Sequence, residues 1–163
     1  MRFAHRALQE YLIARHLHAT IKTPEARTRE FLSRLPDRQA WEPLRIWAAM
    51  LSDRERVSLA ATMRALLTTG DEGYLLTGLL LAEGLGANEF LEGWLSWFTD
   101  HMAAAWADEW TACLDAWANC PDDGRKKQLD TALASRSRSA TFPEWLRLSF
   151  ASGRLGFPVY PPD

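Results

Sequence analysis

Few side chains here have the types and spacing that chemistry requires. The histidines are His5, His16, His18 and His101, and the cysteines are Cys113 and Cys120. His16 and His18 stand two apart, so on a helix they point in different directions and cannot share a metal ion. The cysteines stand seven apart. On one helix that separates their Cα atoms by about 10 Å, too far for a disulfide. No histidine lies near them, so the ligand spacing of a zinc site is missing. Two buried or half-buried thiols are expected instead. Asp108-Glu109 and Asp122-Asp123 are adjacent carboxylates, expected at helix ends or on the surface rather than as a catalytic pair.

Phosphate chemistry is equally sparse. No glycine is followed by lysine, so the Gly-x-x-x-x-Gly-Lys-Ser/Thr loop is missing, as are His-Glu-x-x-His and Gly-x-Ser-x-Gly. Gly84-Leu85-Gly86 lacks the third glycine of a dinucleotide fingerprint and follows a helical stretch. Arg125-Lys126-Lys127, with Arg136 and Arg138 beyond, is too small a cluster to signal a nucleic-acid partner. From these residues alone no catalytic group, metal ligand or cofactor site is assigned, and the chain is expected not to be an enzyme.

The elements that could position such groups are helical. The 163 residues, 47% apolar and 25% charged, suit one soluble globular domain, and eight tryptophans need a core to hide in. No stretch is apolar enough for a membrane helix, and Arg2, His5, Arg6, Gln9 and Glu10 break any signal-peptide core, so a cytoplasmic location is expected. Charge is uneven. Residues 1–64 carry net +5, residues 65–124 carry net −11 without one Lys or Arg, and residues 125–163 carry net +4. Such a run is either a solvated acidic face or a docking surface for a basic partner.

Apolar spacing predicts a helix over 3–20. Thr23-Pro24 caps a second helix that ends at Pro36, and a third covers 40–51. Ser52-Asp53-Arg54-Glu55 is a capping box opening a helix to about Leu67. Asp71 caps a helix that Gly84 and Gly86 stop, and Asn88 caps the next. Pro121 to Gly124 is a turn before a polar helix reaching about Ala134. Thr141 to Glu144 is a second capping box, for a helix to Gly153, and prolines 158, 161 and 162 keep the tail extended. Trp41, Tyr74, Trp110 and Trp145 recur at spacings of 33, 36 and 35. That period predicts an all-α fold of stacked helical hairpins, an irregular α-solenoid of the HEAT or armadillo kind, with the tryptophans as core between hairpins.

The first seventeen residues carry a sharper signal. Phe3-x-His5-x-x-Leu8-Gln9-Glu10-Tyr11-Leu12-x-Ala14-x-x-Leu17 resembles a signature of NACHT-type signal-transduction NTPases. There the run reads Phe-x-His-x-x-Phe-Gln-Glu-Tyr/Phe-Leu/Phe-x-Ala and closes the winged-helix domain; Leu8 stands where the family has Phe. The resemblance covers about a tenth of the chain. It implies that His5 contacts the β-phosphate of ADP in an intact parent, a role that suits an imidazole beside an anion. It also implies that Gln9 and Glu10 are the motif's polar pair, and that Phe3, Leu8, Tyr11, Leu12, Ala14 and Leu17 form the packing positions.

The resemblance further implies that residues 1–20 are the terminal helix of a truncated winged-helix domain, 21–153 a helical-repeat domain and 154–163 a Pro-rich tail. ATP or ADP with Mg²⁺ belongs to the parent, whose phosphate loop is not in this sequence. The chain is then a piece of a longer protein, a mis-assigned gene start or one half of a split gene. Its expected role is the non-catalytic sensor or scaffold portion of a nucleotide-switched signalling or defence ATPase, binding protein partners through its repeats. The alternative is a free-standing helical-repeat adaptor. Cut from its domain, the first helix must find other cover. It either packs on the first hairpin near Phe31 and Trp47 or mediates self-association.

Overall fold

Capping residues, turn glycines and apolar rows together divide the chain into helices. In the computed structural model, residues 2–86, 88–105 and 109–163 are described, with side chains from His5 onward except that of Glu109. The α-helices are α1 (Arg2–Thr20), α2 (Pro24–Arg34), α3 (Trp41–Ala49), α4 (Asp53–Arg56), α5 (Leu59–Leu66), α6 (Asp71–Ala82), α7 (Leu91–Ala104), α8 (Glu109–Ala118), α9 (Asp123–Arg138) and α10 (Phe142–Leu155). Short 3-10 turns at Arg38–Ala40 and Asn88–Phe90 lead into α3 and α7. Among the described residues there is no strand, and the fold is all-α, its helices packing against their neighbours as in a helical-repeat protein.

The caps act where the sequence puts them. The Thr23 hydroxyl accepts from Ala26 N–H at 3.2 Å, and both capping boxes close, Ser52 with Glu55 and Thr141 with Glu144. Gly156 ends α10 with φ +76°, and Gly156 and Phe157 N–H donate to the Gly153 and Ser152 carbonyls. These are the two bonds of a Schellman motif. Four carbonyls near helix C-termini are capped by basic side chains. Lys22 takes His18, Arg56 takes Ala49, Lys126 takes Ala118 and Arg147 takes Ala103.

Several boundaries differ from the sequence reading. The helix expected from Ser52 to Leu67 breaks at Val57-Ser58. There the Glu55 carbonyl accepts from the Ser58 N–H at 3.0 Å, from the Ser58 hydroxyl and from Arg27 at 3.5 Å. The helix resumes through i to i+3 bonds from Ala60 and Ala61, at 3.4 and 3.3 Å. Gly70, not Asp71, precedes α6, its carbonyl accepting from Tyr74 N–H. Asp71 and Glu72 instead occupy the first turn, where carboxylates complement the helix dipole. Asn88 opens a 3-10 turn rather than α7 itself. Helix α9 runs one turn past Ala134 to Arg138, with Arg136 and Arg138 at its cation-favouring end, and α10 runs to Leu155, so the tail begins at Gly156.

Two compact units emerge, Met1–Leu80 with Leu85–Ala87, and Leu81–Gly84 with Asn88–Asp163. The division falls near residues 81–88, whereas the sequence reading drew boundaries at 20 and 153. In the first unit α1 packs along α3, and α2 packs on α5. Phe31 stacks on Trp47 at 5.5 Å, and Leu44, Leu59, Met63 and Leu66 are fully buried. In the second unit α10 packs against α7, α8 and α9. Trp94 stacks on Trp117 and on Phe98, both at 4.8 Å. Trp41, Trp47, Trp94, Trp110 and Trp117 are all buried, so these tryptophans are core, as their helical spacing indicates. The period also has a structural counterpart: Trp41, Tyr74, Trp110 and Trp145 each lie in the first turn of a helix, α3, α6, α8 and α10.

Candidate functional site on the first helix

The motif residues occupy one helix but not one face of it. Ala14 and Leu17 are buried on the side of α1 that meets α3. Leu8, Tyr11 and Leu12 are 53%, 44% and 53% exposed. Both sides of the helix are thus apolar, and the first unit buries only one. The expectation that α1 packs on the first hairpin holds for its contact with α3, the helix that carries Trp47. It does not hold for Leu8 and Leu12, because Ala14 and Leu17 take the inner positions. The side chain of Phe3 lies outside the described residues.

His5 is exposed on α1. A single solvent-facing imidazole supplies at most one hydrogen bond to a phosphate oxygen, too little to hold a nucleotide.

Gln9 and Glu10 border a polar cleft of about 390 Å³ in the first unit, together with Arg6, Arg34, Asp37 and Gln39. Its charges are answered locally. Arg6 Nε donates to Glu10 at 2.8 Å, Arg34 pairs with Glu30, and the Asp37 carboxylate accepts from Gln39 N–H at 3.0 Å. The two arginines are thus matched by carboxylates, while Asp37 caps the 3-10 turn that leads into α3.

The remaining sequence candidates separate rather than converge. His16 is exposed, His18 half-buried, and His101 stacks on Trp97 at 4.6 Å. Cys113 and Cys120 are both buried and not joined in a disulfide, as their spacing indicates. Among the described residues, no three His, Cys, Asp or Glu side chains are grouped to hold a metal ion. Asp108 and the side chain of Glu109 lie outside the described residues. Asp122 caps α9 by accepting from Arg125 N–H at 3.1 Å. Part of the acidic stretch is answered within the second unit: Asp115 takes Arg154 in a bidentate pair at 2.9 and 3.0 Å, and Asp100 takes Arg136 at 3.2 Å.

Three features were missed by sequence reasoning. An open groove of about 810 Å³ runs between α7 and α9, bordered by Ser96, Thr99, Lys127, Thr131 and Arg136. The tail is extended but docked: the Trp145 indole donates to the Tyr160 carbonyl at 2.6 Å, and the Tyr160 hydroxyl donates to Asp130 at 2.8 Å. That bond to a carboxylate pushes the phenol up from its ordinary pKa. Finally, α10 exposes Phe142, Leu146 and Phe150 at 66%, 49% and 54%. Their spacing of four was visible in the sequence, but it does not say which of two apolar rows turns inward.

Comparison with known protein families, with curated proteins and with solved structures finds no match. No helix among the described residues is long and apolar enough to cross a membrane.

Proposed function

We propose that this chain is a non-catalytic protein-interaction piece, the sensor or scaffold portion of a NACHT-like nucleotide-switched signalling or defence ATPase of the cytoplasm. The observation that carries the reading is the double-sided apolar character of α1. Its inner row, Ala14 and Leu17, is buried in the first unit, while Leu8, Tyr11 and Leu12 face out beside His5. A helix apolar on opposite sides suits a position between two bodies. The motif resemblance names the second body as the rest of a winged-helix domain, with His5 turned toward it. Self-association through the same row is the competing cover. Exposed Arg15 lies one turn past Tyr11 on that helix, and two copies paired in parallel would bring their guanidinium charges together. A separate domain is the better fit.

In this reading ATP or ADP with Mg²⁺ binds the parent's nucleotide domain, and the chain itself performs no hydrolysis. The packing of α1 along α3, within the same compact unit as α2, favours the second reading, a free-standing helical-repeat adaptor. The DNA upstream of Met1 separates the two. An in-frame Gly-x-x-x-x-Gly-Lys-Ser/Thr segment within a few hundred codons is expected, and stop codons in every frame there would leave the adaptor. Calorimetry supplies the biochemical check: the isolated chain is expected to show no stoichiometric micromolar binding of ATP or ADP.

A further inference from the structure

We propose that the seat on α9 and α10 held by residues 157–163 is a recognition site for an extended, proline-rich segment of a partner protein, and that this chain's own tail occupies it as an autoinhibitory strap. The tail shows what the seat recognises. The Trp145 indole donates to the Tyr160 carbonyl at 2.6 Å. The Tyr160 hydroxyl donates to the Asp130 carboxylate oxygens at 2.8 and 3.0 Å, and the Asp163 N–H donates to the Arg138 carbonyl at 3.1 Å. Pro158, Pro161 and Pro162 carry no N–H, so the segment is held instead by an indole donor on a main-chain carbonyl and a carboxylate acceptor for a tyrosine hydroxyl. Aromatic-lined grooves take proline-rich ligands in this mode. Phe157, Tyr160 and Pro161 each precede a proline, which keeps them extended, so such a ligand has little freedom to lose on docking.

The tail is held by these few polar bonds rather than by burial. Pro158, Val159 and residues 161–163 are exposed, and Phe157 and Tyr160 are only half-buried. A segment with so little apolar cover opens at low free energy. The seat does not open with it, because Leu129, Leu133, Leu148 and Ala151 bury the inner sides of α9 and α10. A lifted tail leaves the Trp145 N–H and the Asp130 carboxylate without these bonds, and an equivalent segment from outside restores them. The partner segment therefore carries tyrosine followed by two prolines and an acidic residue. That last residue falls beside Arg138, whose positive charge already acts on the Tyr160 hydroxyl. Tethering decides the competition. A short tether gives the tail an effective concentration of about 1 mM, so it weakens a partner segment of about 100 µM affinity roughly tenfold. The seat lies within the second unit, so this inference and the reading of α1 stand or fall separately.

The test is fluorescence anisotropy of a labelled Phe-Pro-Val-Tyr-Pro-Pro-Asp peptide titrated with the full chain. Tyr160→Ala removes the strap's side-chain anchor and should raise peptide affinity about tenfold over wild type, with an unchanged helical circular dichroism spectrum. Tyr160→Phe, which keeps the ring, should give a smaller gain. A peptide with phenylalanine in place of its tyrosine should bind the Tyr160→Ala chain about tenfold more weakly than the parent peptide. Adding Asp130→Ala to that chain should erase the difference between the two peptides, a coupling that a merely structural tail would not produce. No binding to the Tyr160→Ala chain at about 1 mM, equal affinities of that chain and wild type, or a difference between the peptides that survives Asp130→Ala, overturns the inference. So does a wild-type chain that dimerises in sedimentation and is returned to monomer by Tyr160→Ala, because the occupant is then the tail of a second copy.

Discussion

The backbone of Gly73 in α6 passes so close to the carbonyl of Leu66 at the end of α5 that a Cβ on residue 73 would overlap the oxygen and the Thr69 hydroxyl. The glycine is buried, and the turn between the two helices depends on its lacking a side chain. Leu66 and Leu76 are fully buried on either side of this turn. Gly93, inside α7, is the opposite case, exposed and with open space where its Cβ would stand.

Gly73→Ala should therefore cost about 2–3 kcal/mol by overpacking against backbone that cannot yield. Gly93→Ala should gain about 0.5–1 kcal/mol by removing backbone entropy from the unfolded chain. Urea titration of the two variants beside the parent checks both signs. Equal effects at the two positions would contradict the close approach.

Arg27 is 1% exposed on α2, its guanidinium against Ser58 and the Glu55 carbonyl where α4 gives way to α5. Its Nε has no hydrogen-bond partner, and Glu55 is one-third exposed. The buried stem therefore matters more than the charge. Arg27→Ala should destabilise by about 2–4 kcal/mol, whereas Arg27→Met, which refills the space, should cost about 1 kcal/mol. Thermal melts that rank Met as low as Ala would show that the ion pair carries the site.

Glu144 receives the Thr141 backbone N–H at 2.7 Å, the Thr141 hydroxyl at 2.8 Å and Arg136 at 2.8 Å, which together hold its carboxyl down at about 2 instead of 4.5. A depressed carboxylate stabilises the fold above its unfolded pKa and loses that contribution as pH falls through its folded pKa. The wild-type chain should thus lose stability between about pH 4.5 and 2 in a way that Glu144→Gln does not. Urea midpoints at pH 7, 4 and 2.5 for both proteins test this, the gap between them narrowing toward acid. A gap that stays constant would mean that the capping box is open in solution.

Leu8→Glu and Leu12→Glu replace side chains that the first unit does not use. The pair should change stability by no more than about 0.5 kcal/mol, the range of ordinary surface substitutions. Under the proposed function it should also abolish binding to the nucleotide-binding and winged-helix portion of the proposed parent, measured by titration calorimetry. Unfolding of the first unit in this variant would place the outer row in the core.

The sequence by itself determined most local structure, because caps, turn glycines and 3.6-residue spacing act within a few residues of one another. The Thr23, Ser52 and Thr141 helix starts, the Gly84 stop, the Pro121 turn and the all-α class were all legible in this way. The break at Val57-Ser58 was not. There the Glu55 carbonyl is taken by the Ser58 N–H and hydroxyl and also faces Arg27, some thirty residues earlier, a placement with no periodic trace in the sequence. The docking of the tail through Tyr160 and Asp130 was hidden for the same reason, since a 30-residue separation leaves no periodic trace. On α1 the motif gave the residues, yet only the tertiary structure decided that Ala14 and Leu17 face α3 while Leu8, Tyr11 and Leu12 face out. A helix with two apolar rows has no local preference between them. The choice is made by whichever row fits the grooves of its neighbours, and that fit exists only once the helices are packed.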